Sequence, residues 1–294
     1  MKSLRVPLAT LLVSVLAACG GGGGDGGDPA LQGSVSGTVT KGPVSSATVA
    51  AYGIGGGRAG SQIGMATTDA NGNFTMTIGG YAGPMMLRVS GGSYTDEATR
   101  TSMPMASGDV MTAAMAGFAA GTAVDGIQVT PVTAMAQAMA DHMAGGMTDA
   151  NIASSNAAMG NYFSVSDILH VRPMNPLVPG SGAAASQDAR DYGMTLAAMS
   201  QYAQTLGMST SSAMMTALMA DVEDGVMNGM SGAGQVSMSM GGMMGGRMMP
   251  PTAGTSGMAA AMTAFVNSPA NASGMTEADM AALIQKLANA SGRP

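Results

Sequence analysis

Side-chain catalysis needs an activated nucleophile or a positioned acid–base pair, and few groups in this sequence qualify for either role. Two histidines are present, His142 and His170. His142 follows Asp141 near an expected helix end, where a cation is favoured, and His170 precedes a proline-rich stretch; both read as surface or capping residues. No G-x-S-x-G elbow, H-E-x-x-H pair, Walker loop or G-x-G-x-x-G at a strand–helix junction occurs. Asp221, Glu223 and Asp224 with Asn228 form one acidic cluster, but off the spacing of an EF-hand loop; a turn or a solvated helix end explains it more plainly than calcium. The chain therefore reads as non-enzymatic.

Methionine is the unusual chemistry. Residues 238–249 read MSMGGMMGGRMM and hold Met238, Met240, Met243, Met244, Met248 and Met249. Glycine at that density opposes a stable helix, so helical core packing does not account for these six. Thioether sulfur is a soft ligand suited to Cu(I), and by the same softness to Ag(I). A flexible loop over about 228–258 could gather several sulfurs around one ion, although Arg247 sets a positive charge among them. The excess also runs along the whole chain, with 33 Met and only nine Leu after residue 18. That distribution suits reversible oxidation of scattered methionines as an oxidant sink. It equally suits Met standing in for Leu as a gap-filling, loosely specifying core residue.

The chain begins MKSLRVPLATLLVSVLAACG. Lys2 and Arg5 precede an apolar run from Val6 to Leu16, too short for a spanning helix of ~20 residues and of the form of a secretory signal over 1–18. Leu16-Ala17-Ala18-Cys19 resembles the lipobox of bacterial lipoproteins. The resemblance implies a diacylglycerol on Cys19, the only cysteine, which becomes the mature N-terminus and attaches the protein to a membrane. Gly20 stands where an Asp would imply retention at the inner membrane, so the expected location is the outer membrane of a bacterial envelope. Residues 19–33, nearly all Gly from 20 to 27, form a flexible tether. Removing residues 1–18 takes away two basic and no acidic residues. Nine basic then face 17 acidic ones, a net charge of −8. That charge argues against a nucleic-acid partner; the expected partner beyond the membrane is a protein or a glycan.

Positioning of these residues falls to two kinds of element, an α+β organisation with a small β-sandwich followed by an irregular, mostly helical region. Over 34–102, Val35 and Val39 share a strand face and Gly42-Pro43 marks a turn. Asp69-Ala70-Asn71-Gly72 is turn chemistry, and Phe74, Met76 and Ile78 alternate as one face of a strand. Met85–Val89 is a further strand. The sequence from Gly37-Thr38-Val39 through Gly42-Pro43-Val44 to Thr68-Asp69-Ala70-Asn71-Gly72-Asn73-Phe74 resembles the carboxypeptidase-regulatory-like, transthyretin-type β-sandwich. In that family the module is accessory or adhesive and carries no catalytic residue. Residues 103–128 read as a linker.

From 129 to 294 helical patterns prevail. Pro131 opens a helix with Met135, Met139 and Met143 on one face, ended by Gly145-Gly146. Thr148 caps the next. After Pro173, Pro176 and Pro179, Ser186 leads a helix with the stripe Tyr192, Leu196, Met199, Ala203 and Leu206. Ser209–Asp221 and a helix from Thr276 follow, the latter carrying Met280, Leu283, Ile284 and Leu287. The order VTPVTAMA, DYGMTLAAMSQYA, ADVEDGVMNG resembles a helical region that follows such β modules in bacterial surface lipoproteins, which implies architecture and location but no activity.

Overall fold

The turn that begins at Asp69 shows how local chemistry builds the first half. In the computed structural model, which describes residues 31–232, 234–239 and 246–294, Gly72 takes φ +79°. Asp69 Oδ1 accepts the backbone N–H of Asn71 and of Asn73, each at 2.8 Å, while Oδ2 accepts the Asn73 amide. These bonds hold the exposed Asp69 carboxyl below the ordinary aspartate range. The carboxylate is spent on the turn, and the strand that follows has Phe74, Met76 and Ile78 buried between exposed Thr75 and Thr77.

The strands are β1 (Gly33–Val39), β2 (Thr48–Gly55), β3 (Arg58–Thr67), β4 (Asn73–Ile78), β5 (Gly83–Ser90), β6 (Ser93–Thr95), β7 (Ser102–Pro104), β8 (Val110–Phe118) and β9 (Ala123–Val129). They make a three-stranded sheet β4-β1-β9, a four-stranded sheet β3-β2-β5-β8 and the two-stranded β6-β7. Val35, Phe74 and Ile127 from the first and Val49, Leu87 and Met111 from the second share one apolar core, the layered solution for sheets with one greasy face. Gly37 interrupts the Val35–Val39 face for a reason: a Cβ there would sit 1.9 Å from the Ile127 carbonyl oxygen, where β1 and β9 run parallel and shift register.

Residues 103–128 are not a linker. They supply β8, which pairs antiparallel with β5 along its length, and β9, which pairs with β1. β8 reads VMTAAMAGF, poor in β-branched residues, and five consecutive residues of it, Met111–Met115, are buried. Both faces are covered, so the period-two signal that marks a half-exposed strand is missing. An uncovered edge strand offers unpaired backbone groups, and here side chains from the helices take them. Thr133 donates to the Thr112 carbonyl, Asn156 donates to the Ala114 carbonyl, and Asp149 accepts the Gly117 N–H.

The helices are α1 (Pro131–His142), α2 (Asp149–Phe163), α3 (Ser181–Ala184), α4 (Gln187–Thr205), α5 (Ser211–Val222), α6 (Ser256–Val266) and α7 (Glu277–Ala288). Thr130 caps α1 with Thr133 in a reciprocal box behind Pro131 at the first turn. The Met135, Met139, Met143 stripe runs from buried through half-buried to exposed. The opposite side of α1, with Ala134, Gln137 and Ala138, is buried as well, because this alanine-rich helix is wedged between β8 and the other helices. The α4 stripe is buried as the periodicity predicts. Leu31–Pro294 form one compact unit, an N-terminal β region followed by helices, and Met215 of α5 reaches into the sandwich core.

Two short hairpins join α5 to α6: β10 (Met230–Ser231) with β11 (Gly234–Gln235), and β12 (Ser237–Met238) with β13 (Arg247–Met248). The expectation of a flexible, poorly packed loop over 228–258 is corrected for its described residues. Val236, Met238, Met249, Ala253 and Met258 are all buried in the helical core, and α6 begins inside the range. The signal 1–18, Cys19 and the tether up to Ala30 lie outside the described residues, as do Met240, Met243 and Met244.

Candidate functional site

The buried seam between sandwich and helices carries the densest set of chemically capable groups. Lys41 follows β1, Asp96 and Glu97 follow β6, Ser200 lies on α4 and Ser211 opens α5. Lys41, Asp96 and Glu97 are each no more than 2% exposed. Lys41 Nζ is 2.9 Å from Glu97 Oε2 and also donates to Ser200 Oγ. Ser200 in turn donates to the same Glu97 oxygen at 2.5 Å. Asp96 is fully engaged: Oδ1 accepts the N–H of Ala98 and of Thr99 and the Thr99 hydroxyl, and Oδ2 accepts the Ser211 hydroxyl. The Lys41 ammonium lies 5.5 Å from the centre of the Tyr94 ring.

Ser200 beside Lys41 has the residue types of a serine–lysine pair, which needs a neutral amine as base. Burial works to deprotonate Lys41, but Glu97 and Asp96 beside it outweigh burial and hold the ammonium above the ordinary lysine range. Burial likewise works to raise Asp96, and Lys41 and Ser211 hold it below the ordinary range. Lys41 is thus a proton donor here, and the network ties β1 and the β6 loop to α4.

One side of this network opens on a cavity of about 380 Å³. Its walls come from the end of β1, the Asn71–Asn73 turn, the Arg172–Pro176 loop and the middle of α4. The loop packs closely, since a Cβ on Gly193 of α4 would lie 2.0 Å from the Met174 carbonyl oxygen. Glu97 lines the cavity, and its Oε1 accepts no hydrogen bond from any described residue. A wider cleft of about 680 Å³ lies between the Gly56-Gly57 turn and the end of α1, with Arg58, Asp141 and His142 on its walls.

The residues singled out from sequence fall elsewhere. Met238 and Met249 are fully buried while Met248 is 51% exposed. In the β12–β13 ladder Met238 pairs with Arg247 and Met248 with Ser237, so Met238 and Met248 occupy opposite faces. An ion shared by all six methionines would require Met238 and Met249 to leave the core. His142 Nδ1 meets the Ala138 carbonyl at 2.9 Å and Nε2 lies 3.5 Å from Glu223; His170 pairs with Asp167. The acidic cluster is a turn: Asp221 Oδ1 accepts the N–H of Asn228, Gly229 and Met230. No group of three His, Cys, Asp or Glu placed to hold a metal occurs among the described residues.

Sequence reasoning missed Lys41, Asp96 and Glu97. They stand in the turn-like strings TKGP and YTDEATR, where a charge is ordinarily solvated, and no spacing relates them to Ser200 or Ser211. No family model matches the chain, and no curated relative matches it. Solved structures with partial likeness include a 9R-lipoxygenase from Cyanothece PCC8801, at 16% identity over 34% of this chain and 16% of that one, TM-score 0.22. An (S)-allantoin synthase is 12% identical over 35% of this chain and 42% of its own, TM-score 0.22. The chain thus spans less than half the length of each, and likeness this slight carries no argument about fold or chemistry.

Proposed function

We propose that this is a non-catalytic, lipid-anchored protein of the bacterial cell envelope, held at the outer membrane through Cys19, with a folded unit that serves a structural or adhesive role toward a protein or glycan. The observation that carries the anchor is Leu16-Ala17-Ala18-Cys19 behind a basic start and a short apolar run, with no second cysteine in the chain. A tether from Gly20 to the first strand would let the folded unit stand off the bilayer. No helix among the described residues is long and apolar enough to cross a membrane, which is compatible with attachment by lipid. The non-catalytic part of the reading rests on Lys41, held as an ammonium beside Ser200.

The geometry favours neither methionine reading over this one. Cu(I) or Ag(I) ligation by the 238–249 segment loses Met238 and Met249 to the core, and most described methionines are too buried to meet an oxidant readily. The test is expression of the full chain in a Gram-negative bacterium, with metabolic labelling by an alkyne fatty acid and mass spectrometry of the mature N-terminus. The expected product begins at a diacylglyceryl Cys19 in the outer-membrane fraction, and Cys19→Ala takes up no label. An unlabelled wild-type chain with intact Cys19 would sink the proposal.

A further inference from the structure

We propose that the 380 Å³ cavity at the seam binds a small zwitterion of the amino-acid type, its ammonium on Oε1 of Glu97 and its carboxylate on the guanidinium of Arg172. The inference concerns the folded unit and stands whether or not Cys19 is lipidated.

The first ground is charge. The seam buries two carboxylates, Asp96 and Glu97, against one ammonium, Lys41. A desolvated charge needs a partner and satisfied hydrogen bonds. Asp96 has four donors on its two oxygens. Glu97 has two, both on Oε2, and its free oxygen belongs to a residue on the cavity wall. A cation entering there completes its hydrogen bonding and cancels the excess negative charge.

The second ground is what else the cavity offers. Arg172 lines it, is exposed, and its guanidinium donates to no described residue, so a fork suited to a carboxylate stands ready. The Thr40 hydroxyl and the Asn71 side-chain amide are likewise uncommitted on the walls. Pro43, Pro173 and Leu196 make an apolar flank for an aliphatic side chain. No aromatic residue lines the cavity, so the ring stacking that commonly seats a sugar is missing, whereas opposite charges at floor and rim suit a zwitterion.

The test is isothermal titration of the full chain with free L-alanine and L-leucine, and with N-acetyl-L-leucine and L-leucinamide, which lack the ammonium and the carboxylate respectively. The expected result is saturable binding of a free amino acid, with at least about tenfold loss for each blocked derivative. Arg172→Ala, which breaks no intramolecular bond, is expected to weaken the free amino acid by a similar factor while leaving the thermal melt unchanged. Glu97→Gln is expected to abolish binding, and a melt shows whether that variant is folded; if it is not, the N-acetyl probe carries the same question on the unaltered protein. Absence of saturable binding by either free amino acid, or undiminished binding of N-acetyl-L-leucine, would overturn the proposal.

Discussion

Asp221 offers the sharpest test of the energetics argued from this fold. Its side chain is fully buried, Oδ1 takes three backbone N–H groups at the start of the β10–β11 hairpin, and Oδ2 has no partner. Burial pushes its pKa from 3.8 up to about 6, against the three hydrogen bonds that favour the charged form. The folded state therefore holds this proton more tightly than the unfolded chain does. Stability associated with the group is greatest near and below pH 4 and is lost as pH rises through about 6. At about 1.4 kcal/mol per unit, the loss is about 3 kcal/mol at most. Asp221→Asn keeps the acceptor for the three N–H groups and removes the charge, at a cost of about 1 kcal/mol for a buried amide left unpaired. The variant is expected to be about 1 kcal/mol less stable than wild type at pH 4 and about 2 kcal/mol more stable at pH 8. Asp221→Ala leaves three buried donors without an acceptor and is expected to cost about 2–4 kcal/mol at either pH. Urea unfolding followed by circular dichroism across that range measures each difference. Asp191, also raised to about 6 by burial, tilts all three curves alike and cancels between them. A constant offset between Asp221→Asn and wild type at all pH values would refute the claim that the ionised carboxylate is costly here.

The remaining expectations concern the seam and the methionines. Lys41→Met leaves Glu97 and Asp96 buried without their cation and is expected to cost about 3–5 kcal/mol, read as a fall in the thermal midpoint. The double change Lys41→Met with Glu97→Leu is expected to recover most of that loss. Under mild peroxide, peptide mapping is expected to find Met65, Met143, Met230 and Met248, the exposed methionines among the described residues, oxidised well before Met238 and Met249; equal rates would mean that the hairpin core opens readily.

How much was legible beforehand follows from how each signal works. The strand Asn73–Ile78 was readable because it buries one face and leaves the other wet, so periodicity survives in the residue types; the stripe on α4 was readable from its large apolar residues alone, since Asp191–Ser200 are buried all round. Thr276 and Ser186 announced helix starts through capping chemistry that is local in sequence. β8 gave no such signal, because its run Met111–Met115 is covered on both faces; α6 leaves Ser256, Ala260 and Ala264 exposed along one side, but alanine stands on both its faces and blurs the contrast. The seam was illegible for a different reason. Lys41 and Glu97 meet Ser200 across separations of 159 and 103 residues, and nothing local to any of the three marks it as buried. Glycine content suggests looseness near 238–249, whereas among its described residues Met238 in the two-residue ladder and Met249 just after it are both buried in the core.

These buried polar groups bear on how a methionine-rich interior selects one structure. Met135, Met159, Met194, Met199, Met214, Met258, Met262 and Met280 all lie in the helical core, and unbranched thioethers fit many arrangements about equally well. A hydrogen bond to a buried charge tolerates far fewer. The Lys41–Glu97–Ser200 network, the Asp96–Ser211 bond and the Thr130–Tyr192 hydroxyl pair at 2.6 Å each join segments distant in sequence, and each leaves an unsatisfied buried group if the layers slip. On this argument the polar seam sets the register between sandwich and helices, while the apolar core supplies most of the driving force. The Lys41→Met, Glu97→Leu double variant separates the two contributions. It is expected to keep most of its stability yet to unfold less cooperatively, with near-ultraviolet circular dichroism lost before far-ultraviolet. Coincident, sharp transitions by both probes would place the specificity in the methionine core itself.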